Sequence, residues 1–159
     1  LGQHVGRITG DRETLFVLNH PARCGRRPGS AGSKGWAVKP GGAAELELQR
    51  GNSEGGMLAD ATCDGKTVGR PLPVLTRHLT FGLGHRETVE SVQNDSGGRQ
   101  AERTVVRGSV DGADVMVEAV VLKDARCVYD FVYVAPVNAF EAGRGDFHAF
   151  VESFAGATR

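Results

Sequence analysis

The chain has 159 residues, which suits one domain with a single hydrophobic core. Lysine plus arginine balances aspartate plus glutamate at 19 each. This argues against general nucleic-acid binding and against a polybasic membrane anchor, since both depend on a cationic surface. No apolar run approaches the ~20 residues that a membrane-spanning helix needs.

Leu1-Gly2-Gln3 reads as the front of a longer precursor, which leaves room for a lipid anchor upstream of residue 1. Residues 1–19 hold two strand-like pieces, Val5–Ile8 and Leu15–Leu18, around Gly10-Asp11. Residues 20–35 have no periodicity and carry Pro, Gly, Ser and four cations, which marks a loop. Residues 1–35 therefore read as an irregular N-terminal extension of a single domain spanning 1–159.

Trp36–Lys39 reads as a short strand, closed by the Pro40-Gly41-Gly42 turn. Glu45–Gln49 alternates, with Leu46 and Leu48 inward, and Met57–Cys63 is a further strand ending at the Asp64-Gly65 turn. Pro71–Gly82 predicts a helix with Leu72, Leu75, Leu79 and Phe81 on a partial apolar face, and its proline is tolerated in the first turn. His85–Asn94 alternates again.

Three strands follow, Glu102–Val110, Ala113–Lys123 and Cys127–Val134. Asp111-Gly112 joins the first two, and Asp-Gly suits a type I′ turn, which needs φ > 0 at both central positions. Pro136–Gly145 reads as a loop. A last helix, Asp146–Phe154, aligns Phe147, Phe150, Val151 and Phe154 in one stripe, with Asp146 as its N-cap. Consecutive strands with helices kept apart define an α+β fold, an antiparallel meander flanked by two or more helices as an α/β/α sandwich.

Few residues announce chemistry. Cys24, Cys63 and Cys127 form no C-x-x-C pair. They allow three free thiols or one bridge, and Cys63–Cys127 is preferred to a pair using Cys24 because both belong to strands. The five histidines have no metal-binding spacing, so neither metal nor cofactor is expected. His78 and His85, beside Arg77 and Arg86, are candidates for an anion or ligand site. The alternative is a solvated helix end whose cations complement the macrodipole.

There is no G-x-S-x-G elbow and no Walker loop. Arg144-Gly145-Asp146 spells an adhesion tripeptide and Asn94-Asp95-Ser96 a glycosylation sequon, but both are short enough to arise by chance. Glu118 and Asp130 lie inside strands, where an acid needs a partner such as Arg103 or Arg107. An ion pair is the default reading there, and an acid–base or ligand role for Asp130 is the alternative. Arg26 and Arg27, with Arg23 and Lys34, could meet an acidic surface. Trp36 beside them is either a partner-binding spot or a core anchor.

Three segments together carry a resemblance: WAVKPGGAAELEL (Trp36–Leu48), the meander Arg99–Tyr133, and the helix DFHAFVESF (Asp146–Phe154). Over residues 36–155 the chain resembles the PsbP-like superfamily. That group includes the photosystem extrinsic PsbP proteins, the nuclear Ran-binding Mog proteins and many bacterial lipoproteins and secreted proteins. The resemblance implies a central antiparallel sheet flanked by helices and carries over no site residue. It also implies a non-catalytic binding or assembly module of the bacterial cell envelope, with an envelope protein as partner. By the same resemblance the protein is exported, to the periplasm or attached to the outer membrane. The alternative is a small-ligand or lipid carrier, or an enzyme, with a pocket near the mid-chain helix using His78, His85 or Asp130.

Overall fold

The computed structural model describes residues 35–38, 44–51, 54–96 and 99–157. The expected hairpin of residues 1–19, Cys24 and the basic tract with Arg26 and Arg27 lie outside them. Seven strands form one open antiparallel sheet: β1 (Trp36–Val38), β2 (Leu46–Arg50), β3 (Gly56–Thr62), β4 (Gly84–Ser96), β5 (Arg99–Val110), β6 (Ala113–Lys123) and β7 (Val128–Pro136). Their order across the sheet is β1-β2-β3-β7-β6-β5-β4. The chain thus leaves the middle after β3, crosses to the far edge, and returns strand by strand until β7 pairs with β3.

The crossing is made by α1 (Gly65–Val68) and α2 (Leu72–Leu79). Asp64 caps α1, accepting a 2.7 Å hydrogen bond from the Thr67 amide, so the expected turn tightens into one helical turn. Pro71 precedes the first turn of α2. Leu72 and Leu75 pack on Val121 and Val128, whereas Phe81 falls in the turn after the helix and is 76% exposed. The apolar face of α2 therefore ends at Leu79, one residue before the chain leaves helical geometry. Asp111 and Gly112 both take positive φ (51° and 84°), as a type I′ hairpin requires.

The terminal helix α3 (Phe140–Ala157) is longer than its sequence indicates. Gly143 and Gly145 read as loop residues, yet both are helical. At Gly143 a Cβ would collide with the Tyr133 hydroxyl and crowd Arg50, so glycine serves close packing there. Asp146 consequently lies mid-helix and is not the N-cap. Its carboxylate accepts a 3.0 Å hydrogen bond from the Trp36 indole, tying α3 to the first strand.

α3 covers one face of the sheet. Phe140 and Phe147 stack on Tyr133, Phe150 and Phe154 pack on Phe131, and the Tyr133 hydroxyl donates to the Phe140 carbonyl at 2.8 Å. α2 covers the other face over β5 and β6, which completes the sandwich. Cys63 and Cys127, one step beyond the Thr62–Val128 pair, are joined by a disulfide with S–S 2.03 Å. The bridge closes a separation of 64 residues, for which chain entropy gives about 4 kcal/mol. Cys63→Ser or full reduction is expected to lower unfolding stability by about 2–4 kcal/mol, read by denaturant titration with and without reductant. An unchanged midpoint would show that the β3–β7 ladder holds without it.

Candidate functional site

On the face that carries α2, the residues of β2, β3, β7 and β6 stand in transverse rows. Gln49, Gly56, Val134 and Val117 form one row, and Glu47, Leu58, Val132 and Ala119 the next. Over these rows lies an open groove of about 360 Å³, lined by Glu47, Gln49, Leu58, Val115, Val132 and Val134 among others. The following row contains Asp60 directly opposite Asp130, with Glu45 beside Asp60 and Val121 on the far side of Asp130. All three acids are buried.

Burial disfavours the charged form of each acid, and they also repel one another. Glu45 is pushed up to about 8 by desolvation and by Asp60. Asp60 is raised to about 7 by desolvation, although the Ala61 and Glu45 amides donate to its carboxylate and oppose the rise. Asp130 is raised to about 7 by desolvation and by Asp60. Facing acids of this kind titrate as a unit, the first proton leaving more readily than the second.

The other face holds a different polar cluster. Glu118 on β6 is fully buried and receives Arg144 Nε at 2.8 Å, His148 Nε2 at 2.8 Å and Arg103 Nη1 at 3.3 Å. Glu90 on β4 bridges Arg103 and Arg144 at 3.0 Å each, and these two guanidinium groups hold its carboxyl below its ordinary range. The arrangement is a structural clamp between α3 and the β4–β5–β6 strands.

The sequence-derived candidates do not converge. His78 is exposed on the last turn of α2, its pKa lowered first by partial burial and then by Arg70 and Arg77. His85 is exposed at the start of β4 with φ 47°. Asp130 is buried on β7, and three strand spacings, about 14 Å, separate it from β4. The structure therefore does not bring His78, His85 and Asp130 together in one place. Of the two readings of Trp36, the structure has the core anchor and not the partner-binding spot: it is 4% exposed, hydrogen-bonded to Asp146 and edge-on to Tyr133.

Of the expected ion pairs, Arg103 does reach Glu118, but Arg107 pairs loosely with Asp114, and Asp130 faces Asp60 and forms no salt bridge with Arg103 or Arg107. The residues of Arg144-Gly145-Asp146 are absorbed by Glu118, Glu90 and Trp36. Glu45 and Asp60 were not singled out from sequence. The only signal for Asp60 there was an acid within a largely apolar strand, Gly56–Thr62, as Asp130 is in β7.

Among the described residues, no group of three or more histidine, cysteine or carboxylate side chains is arranged to hold a metal ion. No helix among them is long and apolar enough to cross a membrane.

An open seven-stranded antiparallel sheet with helices on both faces makes this an α+β fold. No family model and no curated protein matches the chain by sequence. By structure the chain is similar to cyanobacterial PsbP (CyanoP) from Synechocystis sp. PCC 6803, with TM-score 0.55 and 11% identity over 75% of this chain and 80% of that one. It is similar to LpqN of Mycobacterium tuberculosis, described as involved in cell envelope biogenesis, with TM-score 0.53 and 13% identity over 72% and 74%. A third similar structure is PA94 of Pseudomonas aeruginosa, a protein of unknown function, with TM-score 0.50 and 12% identity over 73% and 77%. At these identities the likeness is one of fold.

Two outcomes separate the clusters. Glu118→Ala removes the buried carboxylate that Arg103 and Arg144 share, and is expected to cost roughly 3 kcal/mol in chemical denaturation. A loss under about 0.5 kcal/mol would reduce the clamp to a surface pairing. For the acid row the sign is opposite to ordinary acid denaturation. The folded state binds more protons than the unfolded chain between about pH 4, where unfolded carboxylates titrate, and the raised values of about 7 to 8. Stability should therefore fall as pH rises from 5 to 8, seen as a lower Tm by calorimetry, and Asp130→Asn should flatten the slope. A Tm that rises over that window would contradict the protonated row.

Proposed function

We propose that this chain is a non-catalytic binding or assembly module of the bacterial cell envelope, exported and working through contact with an envelope protein. The observation that carries the reading is the groove on the β2–β3–β7 side of the sheet. It is open to solvent, and its floor is the apolar set Leu58, Val115, Val132 and Val134. An open apolar groove suits side chains presented by another protein, whereas a small ligand is usually enclosed on most of its surface.

Export to the periplasm, or attachment to the outer membrane through an upstream lipid anchor, is supported by the Cys63–Cys127 bridge, since disulfides persist in oxidising compartments. The shared fold with LpqN, itself described as involved in cell envelope biogenesis, supports the same placement. A small-ligand or lipid carrier is the second reading, favoured only by the groove's volume.

The test is photo-cross-linking in the producing bacterium, with the cross-linker at Gln49 in the groove and, as control, at the exposed His78. A discrete envelope protein captured from position 49 and not from 78 is expected. Capture from neither position by the exported, folded protein would sink the reading. Recovery in the cytosol with Cys63 and Cys127 reduced would remove its export half.

A further inference from the structure

The acid row is the next row of the sheet after the groove floor. Leu58 faces Val132 on the groove floor, and two residues along each strand Asp60 faces Asp130. Successive residues on one face of a strand stand about 6.5–7 Å apart, within reach of a lysine or arginine side chain whose backbone lies over the groove. Glu47 is the only ionisable side chain lining the groove among the described residues. One further step along β3, the Thr62 hydroxyl is buried with no hydrogen-bond partner.

We propose that the groove receives a segment of a partner protein in which a lysine or arginine stands beside apolar side chains. The apolar groups rest on Leu58, Val132 and Val134, and the cation reaches the Asp60–Asp130 pair, with Glu47 at the rim. This rests on the binding-module reading and names the chemistry of its partner.

The argument for a cation is electrostatic. Two buried carboxyl groups facing each other cannot both ionise without a counter-charge, so the empty pair retains a proton. Among the described residues, no lysine or arginine forms a salt bridge with the pair. From β2 come Glu45 and Glu47. From β6 comes Val121, and beyond it Glu102 of β5, which accepts from Gln93 and Thr104. Lys66 of α1 and Arg77 and His78 of α2 are exposed, and Lys123 of β6 gives its ammonium to the Arg70 carbonyl at 2.6 Å. An arriving ammonium or guanidinium group replaces the retained proton, which leaves to solvent.

The experiment is calorimetric titration of the full chain near neutral pH with two synthetic peptides, one alternating leucine and lysine and one with glutamine in place of each lysine. Repeating it in two buffers of different ionisation heat counts the protons. The lysine peptide should bind at least about tenfold more tightly and release protons. Asp130→Asn and, as a second variant, Glu47→Gln should each narrow the preference. Amide shift changes should centre on β2, β3 and β7. Equal affinity for the two peptides, binding of neither, absence of proton release, or shifts centred on the α3 face would overturn the proposal. Tighter binding of a long-chain amine than of either peptide would overturn it in favour of a lipid carrier. If the peptides fail while the Gln49 cross-link still captures an envelope protein, cation recognition falls and the binding module stands. If both fail, both fall.

Discussion

Strand β7 has to be buried on both faces and paired on both edges, and the rest of the fold is arranged to meet that demand. β3 and β6 hydrogen-bond to its two sides. Tyr129, Phe131 and Tyr133 point toward α3, which answers with Phe140, Phe147, Phe150 and Phe154. Val128 and Val132 point the other way, into the apolar clusters around α2 and the groove floor. Aromatic pairs of this kind add about 0.5–1.5 kcal/mol each beyond the area they bury, so a helix that carries Gly143 and Gly145 in its first turns is stabilised by what it packs on.

The two faces resolve buried charge in different ways. Glu118 sits among two guanidinium groups and an imidazole, and its desolvation is offset by short, charge-assisted contacts. Asp60 and Asp130 have each other, and burial raises both carboxyl groups, with Glu45 beside them, toward the neutral form. The first cluster is complete within the chain and reads as a clamp. The second has no salt bridge to a cation among the described residues, and it adjoins a surface that is open.

The meander was legible because its information is local. Asp111-Gly112 sets one turn, and alternation through Ala113–Lys123 and Val128–Val134 sets the faces. The helix α3 was legible only from Phe147 onward, because its first turns contain Gly143 and Gly145, whose presence is explained by Tyr133 and not by neighbours in sequence. Of the acid row, only Asp130 stood out in advance, and its partners did not. Alternation in β2 correctly turned Leu46 and Leu48 toward one core, but whether Glu45 on the other side met water depended on strand order. The meeting of Asp60 with Asp130 likewise exists only because β3, made early, pairs with β7, made late. The burial of Trp36 is a consequence of the same kind, since its indole partner Asp146 is 110 residues away.

That pairing has a further consequence for how the molecule is made. During synthesis, β1–β3 are the first of the seven strands to emerge, as a three-stranded ribbon whose inner edge, β3, has no partner until the chain has run through four more strands. β4–β7 can form by successive hairpins, a fast and local process, but the seam between the two halves is among the last and longest-range closures. Until then β3 presents an unpaired edge of seven residues that another chain could occupy. Cys63 and Cys127 stand at the end of that seam, so their oxidation records that the correct edge was found, and makes the final step of assembly hard to reverse.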